Sequence, residues 1–189
     1  MRVFLFILAL AAGTAQAQTG ADRVETLVQM FRQNRPSAQD ITLSEAEVNA
    51  YLALRLPSKA KEIKRASANF KDGHVVEAEA SVSLGGGALD RLPADTPTFV
   101  RKTLERLLKS DSTVQVDALF TSARGKGFVQ IRRVEINGIK VPDSFVREAM
   151  EFAGAKARPP VDFNRLFPLP DGLDKVEVLA GAVRVVVKP

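Results

Sequence analysis

Apolar residues recur along this chain with two spacings, and the switches between them divide it into elements. Val24, Leu27, Val28 and Phe31 stand at i, i+3, i+4 and i+7 with polar residues between them, which predicts an amphipathic helix from Asp22 to Asn34, ended by Pro36. A second helix is predicted from Ser44, where Ser44 and Glu47 have the spacing of a capping box and Leu43 and Val48 that of a hydrophobic staple. Thr42 and Glu45 offer the same box two residues earlier. In either register the helix passes Tyr51 and Leu52 and stops before Pro57.

From Glu62 the period falls to two. Ala66, Ala68 and Phe70 lead into Asp72-Gly73, a hairpin dipeptide. Val76, Ala78, Ala80, Val82 and Leu84 then alternate with Glu77, Glu79, Ser81 and Ser83, the pattern of a half-buried antiparallel strand. Gly85-Gly86-Gly87 opens a loop that reaches Pro97, and Phe99 to Lys109 reads as a short helix. A second hairpin follows, with Val114, Val116, Ala118 and Phe120 alternating, a turn at Gly125-Lys126-Gly127 and a return from Phe128 to Ile139. The return strand changes phase: Val129 and Ile131 precede Arg132-Arg133, while Val134 and Ile136 fall on the other parity. Such a slip predicts a β-bulge at the arginines and a bent sheet.

Val141-Pro142 introduces a third helix, from Asp143 or Ser144 to Ala153, closed by Gly154. A proline-punctuated stretch then leads to Pro170, and Lys175–Leu179 with Ala182–Lys188 predicts a last hairpin around Ala180-Gly181. The fold class is therefore α+β: a curved antiparallel sheet of consecutive hairpins packed against amphipathic helices.

The first 17 residues belong to a different pattern. Arg2 precedes an unbroken apolar run from Val3 to Ala12, and Ala15-Gln16-Ala17 puts small residues where a signal peptidase reads them. Ten apolar residues rise only about 15 Å as a helix, half of a bilayer core. Residues 1–17 thus read as a cleavable signal peptide with the mature chain beginning near Gln18, and the protein is expected in the periplasm or outside the cell. Residues 18–189 suit one domain, with residues 18–40 an N-terminal helix and linker and 41–189 the helix and curved sheet. No cysteine follows the leader, so lipoprotein acylation has no acceptor, and none is available for disulfides.

The formal charge of +5 loses one unit with Arg2, and both signs are interspersed. That balance fits peripheral contact with an anionic membrane and gives no reason to expect nucleic acid. Of eleven Phe, nine follow the leader, beside one Tyr and no Trp, an inventory suited to dry interiors rather than wet recognition surfaces.

Little in the chain points to catalysis. The lone His74 follows a turn and has no neighbouring nucleophile, and a zinc site with one His and no Cys would have to be built from carboxylates. Gly85-Gly86-Gly87 lacks the Lys-Ser/Thr of a phosphate-binding loop. Glu77 and Glu79 share a strand face and could pair as acid and base, but they alternate with apolar residues and are expected in water. No cofactor and no metal are expected. The apolar faces are more suggestive. Ala66, Ala68, Ala78, Ala80 and Ala118 put small side chains on neighbouring strands, leaving space for a docked helix or an apolar ligand.

Three stretches, Leu43 to Leu52, Ile136 to Pro142 and Phe167 to Leu173, resemble in sequence and order bacterial envelope proteins with a tubular, half-barrel lipid-binding fold. The resemblance spans Ile41 to Val187. It implies a curved sheet wrapped round a long helix, with the Val-Pro helix and the proline-rich return lining an apolar groove, and it implies no catalytic residues. The expected function is accordingly non-catalytic binding of a lipid or another apolar molecule between sheet and helices. Val76, Ala78, Ala80, Val82, Ala118, Phe120, Phe145 and Met150 are the candidate groove residues, and Arg132 and Arg133 the candidate head-group ligands. The alternatives are a structural or interaction module of the envelope whose sheet is filled by its own helices, and a carboxylate-based hydrolase.

Overall fold

Period-two alternation in the middle of the chain becomes a six-stranded antiparallel sheet, and the helical segments on either side cover its margins. The computed structural model describes residues 18–31, 33, 39–59, 62–83, 98, 102, 111–156 and 160–188. Helix α1 occupies residues 18–31, strand β1 Ile41–Ser44 and helix α2 Glu45–Lys59. Strands β2 (Ile63–Lys71), β3 (Val75–Ser83), β4 (Asp111–Ala123) and β5 (Lys126–Ile136) are consecutive antiparallel neighbours. Helix α3 (Asp143–Lys156) lies in sequence between β6 (Ile139–Lys140) and β7 (Phe167–Pro168), both of which pair with β5. Strands β8 (Leu173–Leu179) and β9 (Ala182–Val187) form with β1 a second sheet, in the order β1-β9-β8. The α+β class holds, with its antiparallel strands divided between two sheets.

Local signals explain most boundaries. The capping box forms at Ser44: the Glu47 N–H donates to Ser44 Oγ (3.3 Å), and the Ser44 N–H donates to Glu47 Oε2 (2.8 Å). The helix then runs past the stop expected at Pro57, because Pro57 falls in the last turn and Ser58 Oγ bonds to the Arg55 carbonyl (2.8 Å). Gly154 likewise does not close the third helix. It lies inside α3, where a Cβ would overlap the Val161 carbonyl oxygen; the glycine is there for close packing rather than for a cap. The return strand ends at Ile136 instead of Ile139, because Asn137 and Gly138, both at positive φ (54° and 75°), make a tight turn into β6.

The register bears out the expected faces as far as Ala80, but Ser81 and Ser83, expected in water, are half-buried. Val76, Ala78, Ala80 and Val82 oppose Ala118, Val116, Val114 and Ser112, and all are half-buried except Ser112, which is buried. Glu77 and Glu79, between them, are exposed. The bulge is where the phase change placed it. Asp117 pairs with Arg133 and Ala118 with Ile131, so Arg132 is the extra residue. Leu84, the glycine run 85–87, residues 1–17 and most of the helix expected at Phe99–Lys109 lie outside the described residues; Lys102 within that last stretch is helical.

Each margin of the large sheet is closed differently. Along β2, Asn49 of α2 donates from Nδ2 to the Ala68 carbonyl (2.8 Å) and accepts the Ala68 N–H at Oδ1 (2.7 Å). The side-chain amide thus imitates a neighbouring strand, and Glu45 Oε2 takes the Phe70 N–H (2.8 Å). Along β5, β6 pairs at Glu135 and Ile136 and β7 at Lys126 and Gly127, so Phe128 to Val134 are left between them. Two cores result. One joins Val24 and Leu27 of α1 to Leu43, Leu173 and Val185 of the small sheet. The other joins Ile136 of β5 and Val141 to Phe145 of α3.

Candidate functional site

The second core does not fill the space beneath α3. The chain leaves β6 through Val141, which is 1% exposed and whose N–H donates to the Val134 carbonyl (2.8 Å). Pro142 then starts the helix, its carbonyl accepting from Val146 (3.1 Å). This linkage fixes one end of α3 against β5. Because apolar residues in α3 recur at Phe145, Val146, Ala149 and Met150, one stripe of the helix faces the sheet. Between that stripe and the strands lies a cleft of about 360 Å³. Its sheet side is Val116, Ile131, Val134 and Ile136; its helix side is Phe145, Val146, Ala149 and Met150; Val141 and Phe163 complete it. Every lining residue is apolar.

Phe163 comes from the proline-rich return. The Val161 N–H donates to the Gly154 carbonyl (2.9 Å), which brings the return against α3, and the Asn164 N–H donates to Asp162 Oδ1 (3.0 Å). The Phe163 ring meets Phe167 edge-on, with centroids 5.5 Å apart. Phe167 in turn lies over Gly127, where a Cβ would come within 3.0 Å of the ring. The far end of the cleft is therefore held by two aromatic rings resting on a glycine.

A second, more polar pocket of about 270 Å³ adjoins the first, running between the open margin of β5 and α3. It shares Ile131, Val134, Val146 and Met150 with the cleft and adds Arg132, Asp143, Arg147 and Asn164.

Of the groove residues named from the sequence, Phe145 and Met150 line the cleft. Val76, Ala78, Ala80, Val82, Ala118 and Phe120 share its sheet face but stand outside its lining, because α3 crosses the β4–β5 end rather than the alanine-rich β2–β3 end. Arg132 stands at the pocket and makes no ion pair among the described residues. Arg133 contributes to the same pocket, but its guanidinium pairs with Asp117 (2.9 Å) and Glu135 (3.4 Å), carboxylates of the polar face. Val116, Ile131, Val134, Ala149, Phe163 and Arg147 were not picked out as site residues. The α3 periodicity held a signal for Ala149 and Arg147, whereas Phe163 sits in a segment with no period to read.

Four carboxylates among the described residues titrate away from their ordinary range. Asp40, Glu47, Asp111 and Glu177 all titrate below the ordinary carboxylate range, and none lines the cleft. Hydrogen bonds from Arg184 and the Val187 N–H lower Asp40, while those from Lys64 and Ser83 lower Asp111. Lys175 lowers Glu177. At Glu47 burial pushes upward, but hydrogen bonds from Ser44 and Arg23 outweigh it. A general acid needs the opposite displacement. Glu77 lies 3.7 Å from Lys71 and Glu79 accepts from Gln115 (2.9 Å), both on the polar face. Among the described residues no three His, Cys, Asp or Glu gather as a metal site, and no helix is long and apolar enough to cross a membrane. No protein-family model, no curated protein and no solved structure matches the chain.

Proposed function

We propose that this is an exported cell-envelope protein that binds a lipid or other apolar molecule beneath α3 and performs no chemistry on it. The observation that carries this reading is the cleft between α3 and the β4–β5 pair, lined by ten apolar residues and lying at the small end of the 300–1,000 Å³ typical of ligand sites. A concave cleft with an apolar lining is the usual form of a small-molecule site. Val76, Ala78, Ala80, Val82, Ala118 and Phe120 continue the same half-buried face, and a longer ligand would extend across them. Export rests on the leader at residues 1–17.

Ala149→Phe tests the site. Ala149 lines the cleft from α3, and a benzyl group there would occupy the space assigned to ligand. The variant is expected to fold normally and lose binding of a fluorescent fatty acid, while Glu79→Gln, on the opposite face, leaves binding unchanged. If the wild-type protein takes up no apolar probe and Ala149→Phe is destabilised by the roughly 1–3 kcal/mol of an overpacked core, the sheet is filled by its own helix and the protein is a structural module.

A further inference from the structure

The two adjoining pockets differ in polarity and share Ile131, Val134, Val146 and Met150 in their linings, so the polar one stands directly beside the apolar one. The cations at the polar end come from distant parts of the chain. Arg132 is the residue inserted by the β5 bulge, where the strand phase changes and a side chain is re-aimed. Arg147 is in the second turn of α3, one residue beyond Val146 of the apolar stripe. Both are exposed, and neither makes an ion pair or side-chain hydrogen bond among the described residues. Their neighbours are engaged: Arg133 by Asp117 and Glu135, Arg165 by Asp162 (3.4 Å), Asn164 by Glu151 (3.4 Å). Asp143, the one carboxylate lining the polar pocket, stands four residues before Arg147, a spacing that permits pairing, yet no ion pair forms.

Two uncommitted guanidinium groups against one carboxylate leave the polar end positive, directly beside apolar space. We propose that the site selects an anionic, single-chain amphiphile, with its tail under α3 and its carboxylate or phosphate head between Arg132 and Arg147. This rests on the cleft being a ligand site. Guanidinium matches both head groups by paired N–H donors. The cleft's small volume argues for one acyl chain rather than two.

Calorimetric titration of the mature protein with four probes below their aggregation thresholds tests the assignment: dodecanoate, dodecyl phosphate, dodecanol and inorganic phosphate. The two anionic amphiphiles should bind several-fold more tightly than dodecanol, with a difference that shrinks as salt is raised. Arg147→Gln and Arg132→Gln should each cost the anions up to about five-fold, the scale of one exposed charge contact. Neither should change dodecanol affinity, and Arg147→Lys should keep part of the preference. Equal binding of all three twelve-carbon probes would overturn the head-group assignment and leave the cleft standing. Binding of none would remove the cleft reading, and the head-group assignment with it. Inorganic phosphate binding as tightly as dodecyl phosphate would also overturn the assignment, since the anion site would then be independent of the tail.

Discussion

Substituting Gly154 with alanine sets two physical effects against each other at one atom. On helix propensity alone the change is favourable, by about 0.5–1 kcal/mol in a helix interior. The packing says the reverse. A methyl group on Gly154 would overlap the Val161 carbonyl oxygen and stand 3.1 Å from its carbon, and these are backbone atoms that cannot swing aside as a side chain does. To admit it, residues 160–164 must withdraw from α3. That strains or breaks the bond from the Val161 N–H to the Gly154 carbonyl, worth about 1 kcal/mol net. Overpacking of this kind adds about 1–3 kcal/mol. The sum, less the propensity gain, is a loss of about 1–3 kcal/mol, or about 2–4 °C of melting temperature per kcal/mol for a chain of this size. Urea unfolding followed by far-ultraviolet circular dichroism measures it. Because the displaced segment carries Phe163, apolar-probe binding should weaken as well. A variant as stable as the wild type or more so would show that the return segment does not pack on α3 as described, and the far end of the cleft would lose its wall.

Asn49→Ala removes two of the three hydrogen bonds described at the β2 margin and should cost about 1–3 kcal/mol in denaturant unfolding; light scattering should reveal association through the bared strand. Ser44→Ala removes the hydroxyl of the capping box and should cost about 0.5–2 kcal/mol by the same measurement, with an unchanged stability arguing that Glu47 alone suffices. Since Asp40, Glu47, Asp111 and Glu177 titrate lower in the folded chain, their stabilisation is complete above the unfolded carboxylate values of about 4 and is lost as pH falls through the lower folded values. Thermal melts between pH 7 and pH 2 should therefore fall off below about pH 4, with a shallower decline in Asp40→Asn. Val134→Asp puts a carboxylate on the apolar face and should cost about 1–3 kcal/mol, whereas Thr121→Gln at an exposed position of β4 should change stability by no more than about 0.5 kcal/mol; equal effects would contradict the register of the sheet.

The fold was legible wherever a local rule acts alone. Alternation at Val76–Ala80 and Val114–Phe120 reports which face of a strand is buried, and the phase change at Arg132-Arg133 pointed to a bulge near the two arginines, because a strand's side chains have a strict period of two. Reading failed where two local signals compete or where partners are remote. The apolar residues from Val134 to Ile139 read as one continuous strand, which concealed the turn at Asn137-Gly138 that divides it. Gly154 carries the signal of a cap, yet its reason is a carbonyl seven residues on. Strand β1 is four residues long and partnered by β9 at the other end of the chain, so its own sequence has no pattern to show. The cleft shared this fate. Phe145 and Met150 were identifiable from a helix stripe, but their opposite wall depends on where α3 crosses the sheet, a matter of tertiary geometry. Arg147 and Arg132 become neighbours of one pocket only through that crossing.

The pairing of β1 with β9 has a consequence for the order in which the chain can assemble. Ile41 meets Val185, and Asp40 is held by Arg184 and the Val187 N–H, so the strand that precedes α2 waits for β9. The hairpins β2–β3 and β4–β5 close short loops and can form early, whereas this contact joins residues more than 140 positions apart and must close a far longer loop. Until β9 docks, α1 lacks Val185 of the core it packs into. Loss of the final strand would thus leave not a trimmed protein but an unfinished one, with β1 and one face of α1 exposed to whatever else in the surroundings can pair with them.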